Sequence, residues 1–397
     1  MKDILFLAHR IPFPPDRGDK IRSWNLLKHL AGLARVHLAC FADDRADAAH
    51  IDALRAALGD RLGEAQVEVR SRSKAMDGAL ALAEGRPISL ALFDSPRLRA
   101  FVAAKLADPS VGTVFAFSGQ MAQFVPAGAR QRFIMDFGDV DSAKFAQYAE
   151  EGSGPMRWVN RREAEKLSAF EKAVAERADL CTFVSEAEAA LFRRTTGRDN
   201  IRALSNGIDV DHFDPAADFQ RLDFKEPLVL FTGQMDYAPN AEAVGWFARE
   251  VLPLVPDARF AIAGRNPPAS VRALAGGRVI VTGAVPNMRP WLAAADVVVA
   301  PLKLARGIQN KVLEAMAMAR PVVASPAAFE GIEAEPGRHL LVADGAAATA
   351  AAVRRLLEAP GALGAAARDH VERHYRWSAR LAPLAEMVDP GRRRKAA

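Results

Sequence analysis

Short apolar segments recur along the chain and alternate with stretches in which apolar residues follow helical spacing. The segments are continuously apolar, without alternation, which is typical of parallel strands buried on both faces. The predicted strands are 4–8, 36–41, 67–69, 111–117, 132–135, one within 178–186, 201–205, 228–233, 259–263, 278–283, 296–302, 321–325 and 339–342. The principal predicted helices are 21–31, 51–58, 156–176, 240–251, 346–358 and 376–387.

The alternation of strand and helix stops at a linker of little pattern, 214–227, and then starts again. A chain of 397 residues is too long for one core, so two domains are expected. We predict an α/β fold with two Rossmann-like, doubly wound parallel-sheet domains that face each other across a ligand-binding cleft. The predicted domains are 1–205 and 206–375. Residues 376–397 are expected to pack a helix back on the first domain and to end in a basic, disordered tail.

Composition narrows the function only slightly. Lys and Arg number 53 and Asp and Glu 48, and the resulting net charge of +5 is too small to indicate nucleic-acid binding. The two cysteines, Cys40 and Cys181, lie in apolar segments and are expected to be buried thiols. No segment has the length of a signal-peptide core or a membrane span, which predicts a cytoplasmic protein. The basic stretch after Ser71 is compatible with an anionic membrane surface or with an ordinary packed helix.

The most informative segment lies between the strands 296–302 and 321–325. Gly307 permits close approach of the backbone to a ligand, and a helix is expected to begin near Ile308 or Gln309. The free amide groups at a helix start suit a phosphate. Lys311 and Glu314 share one face of this helix, where they suit a diphosphate and a ribose. The alternative is an ordinary strand–helix–strand crossover with a surface Lys–Glu pair.

Further candidates follow strands of the first domain. Asp136, Asp139 and Asp141 follow the strand 132–135, and their alternative role is to cap a helix. His9 and Arg10 come just after the first strand. They either line the cleft or lie at the surface with their hydrogen bonds satisfied. No G-x-G-x-x-G motif is present, which disfavours hydride transfer.

Several motifs together resemble the retaining glycosyltransferases of family 4, which have the GT-B fold. They are the segments 14–19, 184–186 and 205–209, Gly233, Gly264 and Gly283, and the segment 313–317 followed by 321–323. The segments 136–142, 233–237 and 306–311 more narrowly resemble the sugar transferases associated with PEP-CTERM/exosortase exopolysaccharide systems.

The resemblance implies transfer of a hexose, with retention, from a nucleotide diphosphate sugar to a saccharide or lipid-linked saccharide. It implies no metal and no cofactor besides the donor substrate. Expected catalytic residues are Lys311, Arg306 and Asp139. Expected donor-binding residues are Gly18, Asp19, Gly233, Gln234, Gly307, Ile308, Gln309, Asn310 and Glu314.

The chain departs from the family pattern at three positions. Arg306 replaces the first glutamate of the family's E-x7-E motif, and we hypothesise that its guanidinium supplies phosphate-binding charge. Gln234 stands where the family often has a cation. Gly138 stands at the position of a histidine that is common in the family and leaves Asp139 as the nearest polar group.

The alternatives to a glycosyltransferase are a nucleotide-sugar 2-epimerase and a non-catalytic nucleotide-sugar-binding subunit of a polysaccharide assembly. A peripheral position at the inner face of the plasma membrane is a further expectation.

Overall fold

The computed structural model describes residues 1–70, 81–305 and 308–391. The chain divides into two compact units. The first comprises Met1–Ser205 together with the described residues from Leu381 onward, and the second is Asn206–Arg380. No helix within the described ranges is long and apolar enough to cross a membrane. The first ten residues of the basic stretch, 71–80, and the tail 392–397 lie outside the described residues.

The first unit contains a seven-stranded sheet in the order β3-β2-β1-β4-β5-β6-β7, and every neighbouring pair is parallel. Its strands are β1 Asp3–Ala8, β2 Val36–Ala42, β3 Leu62–Val69, β4 Val111–Phe117, β5 Arg132–Gly138, β6 Leu180–Phe183 and β7 Ile201–Ala203. The strand order reverses between β1 and β4. Such a reversal creates a crevice at the carboxyl ends of the strands.

The first unit also contains helices between its strands. They are α1 Gly18–Leu33, α2 Arg45–Ala48, α3 His50–Leu58, α4 Ile88–Ala91, α5 Pro96–Ala107, α6 Asp141–Glu151, α7 Gly154–Arg177 and α8 Glu186–Thr196, with 3-10 turns at Gly59–Arg61 and Gly119–Phe124. Ser185 caps α8, because its hydroxyl accepts a hydrogen bond from the Glu188 amide at 3.2 Å.

The second unit contains a six-stranded parallel sheet in the order β10-β9-β8-β11-β12-β13. Its strands are β8 Leu228–Thr232, β9 Arg259–Ala263, β10 Val279–Gly283, β11 Val297–Ala300, β12 Val322–Ala324 and β13 Leu341–Val342. Here the order reverses between β8 and β11. The two parallel sheets confirm the predicted α/β class.

The helices of the second unit are α9 Ala238–Trp246, α10 Ala269–Arg272, α11 Arg289–Ala294, α12 Asn310–Ala317, α13 Pro326–Phe329, α14 Ala346–Glu358 and α15 Leu363–His374. A π-helical turn, Phe247–Val251, and a 3-10 turn, Leu252–Leu254, extend α9. The chain then closes with α16 Trp377–Leu381 and α17 Leu384–Val388. Thr113 in β4 donates a hydrogen bond to the Val388 carbonyl at 3.3 Å, which attaches α17 to the first sheet.

Three of the differences from the sequence-based predictions have a clear physical reason. Strand β3 begins at Leu62, five residues early, because an edge strand is partly exposed and lacks a continuous apolar run. Helix α1 begins at Gly18 and not near Ile21. The single helix predicted over 376–387 is divided into α16 and α17, since Pro383 cannot continue a helix from the preceding turn.

Candidate functional site

The reversal between β8 and β11 is the expected ligand position in the second sheet. Gly233 follows β8, and a Cβ atom there would lie 2.9 Å from the Asn240 amide nitrogen and 3.2 Å from Lys311 Nζ. Gly264 follows β9, and a Cβ atom there would lie 1.6 Å from the Gly233 carbonyl oxygen. Gly264 therefore requires glycine for close packing of the backbone, and the absence of a side chain at Gly233 leaves room for the Asn240 amide and the Lys311 ammonium.

Lys311 supplies a cation at this site. It lies in the first turn of α12, and its ammonium donates a hydrogen bond to Asn240 Oδ1 at 2.5 Å. The same ammonium lies 4.4 Å from the centre of the Phe231 ring, within range of a cation–π contact. Burial lowers the pKa of Lys311 to about 8, against the opposing effect of the Glu314 carboxylate. The cation is thus held in place with little solvent, and no carboxylate of the described residues forms an ion pair with it.

Glu314 follows Lys311 by three residues on α12, as the sequence predicts. Burial raises its pKa to about 7, although the nearby Lys311 ammonium lowers it. A partly buried carboxyl group of this kind can accept hydrogen bonds from ligand hydroxyls when ionised. The pair therefore places one cation and one carboxyl group at the same edge of the sheet.

Two buried polar atoms of the elements on either side of this reversal have no hydrogen-bond partner in the described structure. They are Oγ1 of Thr232, the last residue of β8, and Oδ1 of Asn310, the first residue of α12. Buried polar groups are usually satisfied, so unpaired ones in a crevice indicate a ligand or bound water. Helix α12 begins within two residues of its predicted start, with Gln309 at the N-cap position and Ile308 preceding it.

A separate cavity of about 380 Å³ lies beyond the ends of β11, β12 and β13. Its hydroxyl groups are already satisfied: Ser325 donates to the Leu302 carbonyl at 2.6 Å, and Thr349 to the Gly345 carbonyl at 2.8 Å. The unsatisfied atoms Thr232 Oγ1 and Asn310 Oδ1 belong instead to β8 and α12, the elements that carry the Gly233 turn and Lys311, so we place the candidate site at the β8–β11 reversal.

The predicted donor-binding residues of the first unit lie at the start of α1. Gly18 is the first residue of this helix and is exposed. Asp19 lies 2.6 Å from Arg10 and 3.2 Å from Arg17 and from His9. Burial opposes ionisation of Asp19, but the hydrogen bond from His9 and the two arginines hold its pKa far below the usual range.

The three aspartates that follow the apolar part of β5 have different environments. Asp136 is fully buried and accepts hydrogen bonds from Arg22 at 3.1 and 2.6 Å and from Thr182 at 2.8 Å. It is therefore a structural residue and not a site residue. Asp139 is exposed in the loop before α6. Asp141 is the first residue of α6, and burial raises its pKa.

The structure thus places the predicted site residues in two groups. One group lies in the second unit around Lys311 and includes Gly233, the exposed Gln234, Ile308, Gln309, Asn310 and Glu314. The other lies in the first unit and contains Gly18, Asp19 and Asp139. Arg306 and Gly307 lie outside the described residues. No group of three or more metal-binding side chains occurs within the described ranges.

The sequence did not single out Asn240 or Phe231, the two side chains that hold Lys311. They lie 71 and 80 positions from it in the chain, and no local pattern marks them. The sequence did contain one signal, the Gly233 turn. Side chains that follow β8 are expected to lie near those that follow β11, because the strand order reverses between these two strands.

Comparison with protein families gives one match. Residues 226–359 match the family model described as "Glycosyl transferases group 1". The matched segment contains Gly233, Asn240, Lys311 and Glu314. The second unit therefore carries a glycosyltransferase group 1 domain. No curated protein matches the chain.

Solved structures share the fold over nearly the whole chain. Sucrose-phosphate synthase from Thermosynechococcus elongatus superposes with a TM-score of 0.69 at 19% identity, covering 100% of both chains. Anabaena HepE, solved in complex with UDP and glucose, gives 0.64 at 15% identity, covering 98% of this chain and 99% of its own. WaaG, a glycosyltransferase involved in lipopolysaccharide biosynthesis, gives 0.64 at 14% identity, covering 97% and 99%. These similarities confirm the GT-B fold.

Proposed function

We propose that the protein transfers a hexose from a nucleotide diphosphate sugar to a saccharide or lipid-linked saccharide acceptor. The observation that carries this proposal is the Lys311 ammonium, held by Asn240 beside Gly233 in a group 1 glycosyltransferase domain. A buried cation next to a helix start suits a diphosphate. The complex of HepE with UDP and glucose supports a nucleotide sugar as donor.

Departure of the nucleotide diphosphate leaves negative charge on its phosphates. Lys311 is placed to stabilise this charge, and a preorganised donor of this kind is typically worth ~3 kcal/mol in the transition state. Glu314 is proposed to accept hydrogen bonds from the ribose hydroxyls. Arg306 is proposed as a second phosphate-binding cation, with the backbone of Gly307 to Asn310 completing the contact.

The finer assignments rest on the motif resemblance. We propose a family 4 enzyme that retains the anomeric configuration and uses no divalent metal. The backbone of Gly18 and Asp19, at the start of α1, is proposed to approach the donor phosphates, and Asp139 to contact the acceptor. Exopolysaccharide synthesis of the PEP-CTERM type, at the cytoplasmic face of a membrane, is the proposed setting.

The first test is a thermal-shift screen of the protein with UDP, GDP, ADP and their common sugar conjugates, with EDTA present throughout. A ligand that binds only the folded state raises the melting temperature. We expect one nucleotide series to raise it without metal. A well-folded protein that responds to none of them would contradict the proposed donor site.

Product analysis then separates the proposed reaction from its alternatives. The sugar conjugate that gives the shift is incubated with saccharide acceptors, and the products are resolved. A new glycosidic bond supports the transferase. An epimerised nucleotide sugar without any acceptor would indicate a 2-epimerase, and binding without turnover would indicate a non-catalytic subunit.

A further inference from the structure

The first sheet has its own reversal of strand order, between β1 and β4. His9 directly follows β1, and Ser118 directly follows β4. Ligands in open α/β sheets bind in the crevice at such a reversal, beyond the carboxyl ends of the strands. The glycosyltransferase group 1 match begins at residue 226, so it says nothing about this edge.

His9 is the buried polar side chain of this crevice. Only 8% of its surface is exposed, and its ring packs against Phe93 and Phe117 with centroid distances of 5.8 and 5.5 Å. Its Nε2 atom lies 3.2 Å from Asp19 Oδ2 and 3.0 Å from Arg10 Nη1. Its Nδ1 atom is buried and has no hydrogen-bond partner among the described residues. One side of the imidazole is therefore anchored and the other is unsatisfied.

A second buried histidine at the opposite edge of the same sheet provides a comparison. His37 Nε2 lies 3.3 Å from Asp3 Oδ2, nearly the distance found for His9 and Asp19. However, His37 Nδ1 accepts a hydrogen bond from the Glu64 amide at 3.1 Å. The His37–Asp3 pair is thus satisfied on both nitrogens of the ring. The His9–Asp19 pair leaves Nδ1 without a partner among the described residues.

The residue across the crevice has an unusual backbone. Ser118 has a φ of 76°, a conformation that residues other than glycine rarely adopt. It directs its hydroxyl to Gln120, whose amide donates to Asp141 Oδ2 at 3.3 Å. The strained turn therefore presents a short row of polar groups on the β4 side of the crevice.

The charges around His9 favour a neutral ligand. Arg10 lies 2.6 Å from the Asp19 carboxylate, and Arg17 lies 2.8 Å from Asp43, so both cations have carboxylate partners. Burial lowers the pKa of His9, which keeps the imidazole neutral. Depending on the tautomer, Nδ1 donates or accepts a hydrogen bond, and a hydroxyl group can serve either role.

We propose that the β1–β4 crevice binds a hydroxyl group of the saccharide acceptor through His9 Nδ1, with Asp19 fixing the orientation of the ring. The inference rests on the proposed transferase function and adds to it the residue that recognises the acceptor. Phe93 and Phe117 supply the apolar wall that neutral sugar sites usually have.

The direct test observes the imidazole nitrogens by NMR in the full chain labelled with ¹⁵N-histidine. Methyl α- and β-glucopyranosides and galactopyranosides are titrated in, and the His9 and His37 signals are assigned with His9→Gln and His37→Gln. We expect at least one glycoside to shift the His9 Nδ1 resonance saturably and to leave His37 unchanged. The absence of any His9 shift, or equal shifts at both histidines, would overturn the inference.

Kinetics provide a second test with the donor found by the thermal-shift screen. His9→Phe should raise the acceptor KM about 10-fold while the donor KM stays unchanged, and His9→Gln should restore part of the loss. His37→Gln is the matched control and should lower stability without changing the acceptor KM. An unchanged acceptor KM in His9→Phe would reject the role of His9. If no nucleotide sugar raises the melting temperature in the thermal-shift screen, the proposed function is rejected, and the NMR titration with glycosides still tests sugar binding at His9.

Discussion

The ammonium of Lys311 donates a hydrogen bond to the side-chain oxygen of Asn240 at 2.5 Å. The amide nitrogen of the same Asn240 donates to the Gln234 carbonyl at 2.9 Å. Asn240 therefore connects the first turn of α12 with the turn that follows β8. Through this one side chain, the position of the cation is coupled to the backbone at Gly233.

Lys311→Met should lower turnover about 100-fold or more at saturating donor, because it removes the charge that stabilises the leaving group. The melting temperature should not fall, since the substitution replaces a desolvated cation with an apolar chain of similar length. Lys105→Met is the control, because Lys105 is also buried but pairs with Glu64 in the first unit. The control should keep its turnover. Near-normal turnover in Lys311→Met would contradict the assigned role.

Asn240 is expected to act by positioning Lys311. Asn240→Ala releases the ammonium and should weaken donor binding about 10-fold. Asn240→Asp should weaken it further, because a carboxylate beside Lys311 neutralises the charge intended for the diphosphate. Calorimetric titration of the three proteins with the donor, in EDTA, measures this order. Equal affinities for the alanine and aspartate variants would show that Asn240 does not control the charge of Lys311.

Donor affinity should depend on pH through Lys311. Its pKa of about 8 means that the free protein loses this positive charge as the pH rises through that value. Affinity for the diphosphate should therefore be retained below about pH 8 and should fall above it, up to about 10-fold per pH unit. Lys311→Arg keeps its charge throughout and should abolish the fall. A fall that persists in Lys311→Arg would have to come from another group.

The sequence predicts those parts of the site that depend on local spacing. Lys311 and Glu314 lie on one helix face because they are three residues apart, and α12 begins close to its expected start. The roles of the aspartates after β5 were not predictable in the same way. Asp136 and Asp139 look alike in the sequence, and only the contact of Asp136 with Arg22, 114 positions away, makes one of them structural.

The same reasoning explains the errors in the elements. Continuous apolar runs marked the central strands accurately, and β4 has its predicted bounds. The edge strand β3 was predicted too short, because five of its residues are only partly buried and a sixth is exposed. His9 and Asp19 meet because the loop after β1 folds so that the start of α1 lies next to the end of β1. The pattern of apolar and polar residues does not predict the conformation of such a loop.

Arg22 and Asp136 should be more important for stability than for chemistry. Arg22→Met leaves the Asp136 carboxylate buried without its ionic partner, at an expected cost of ~3–5 kcal/mol. The double variant Arg22→Met/Asp136→Asn should recover part of this loss.

Thiol labelling in urea measures this stability. Cys40 and Cys181, the only cysteines of the chain, are both buried in the first unit, so their labelling reports the unfolding of that unit alone. Arg161→Met, at an exposed ion pair, is the control, and an equal effect of both single variants would refute the argument.

Glu171 should make the stability of the first unit fall as the pH rises. Burial raises its pKa to about 7, with Asp141 and Glu188 adding to the effect of burial and the Ser142 hydrogen bonds opposing it. The folded state therefore holds a proton that the unfolded chain releases above about pH 4.5, which costs about 3 kcal/mol of stability between these two pH values. Glu171→Gln should remove most of this dependence in urea unfolding followed with a dithiodipyridine thiol reagent. Glu163→Gln, a buried carboxyl group on the same helix, should retain it. If the two variants show the same pH dependence as the wild-type protein, Glu171 is ionised in the folded state at low pH and the assignment is wrong.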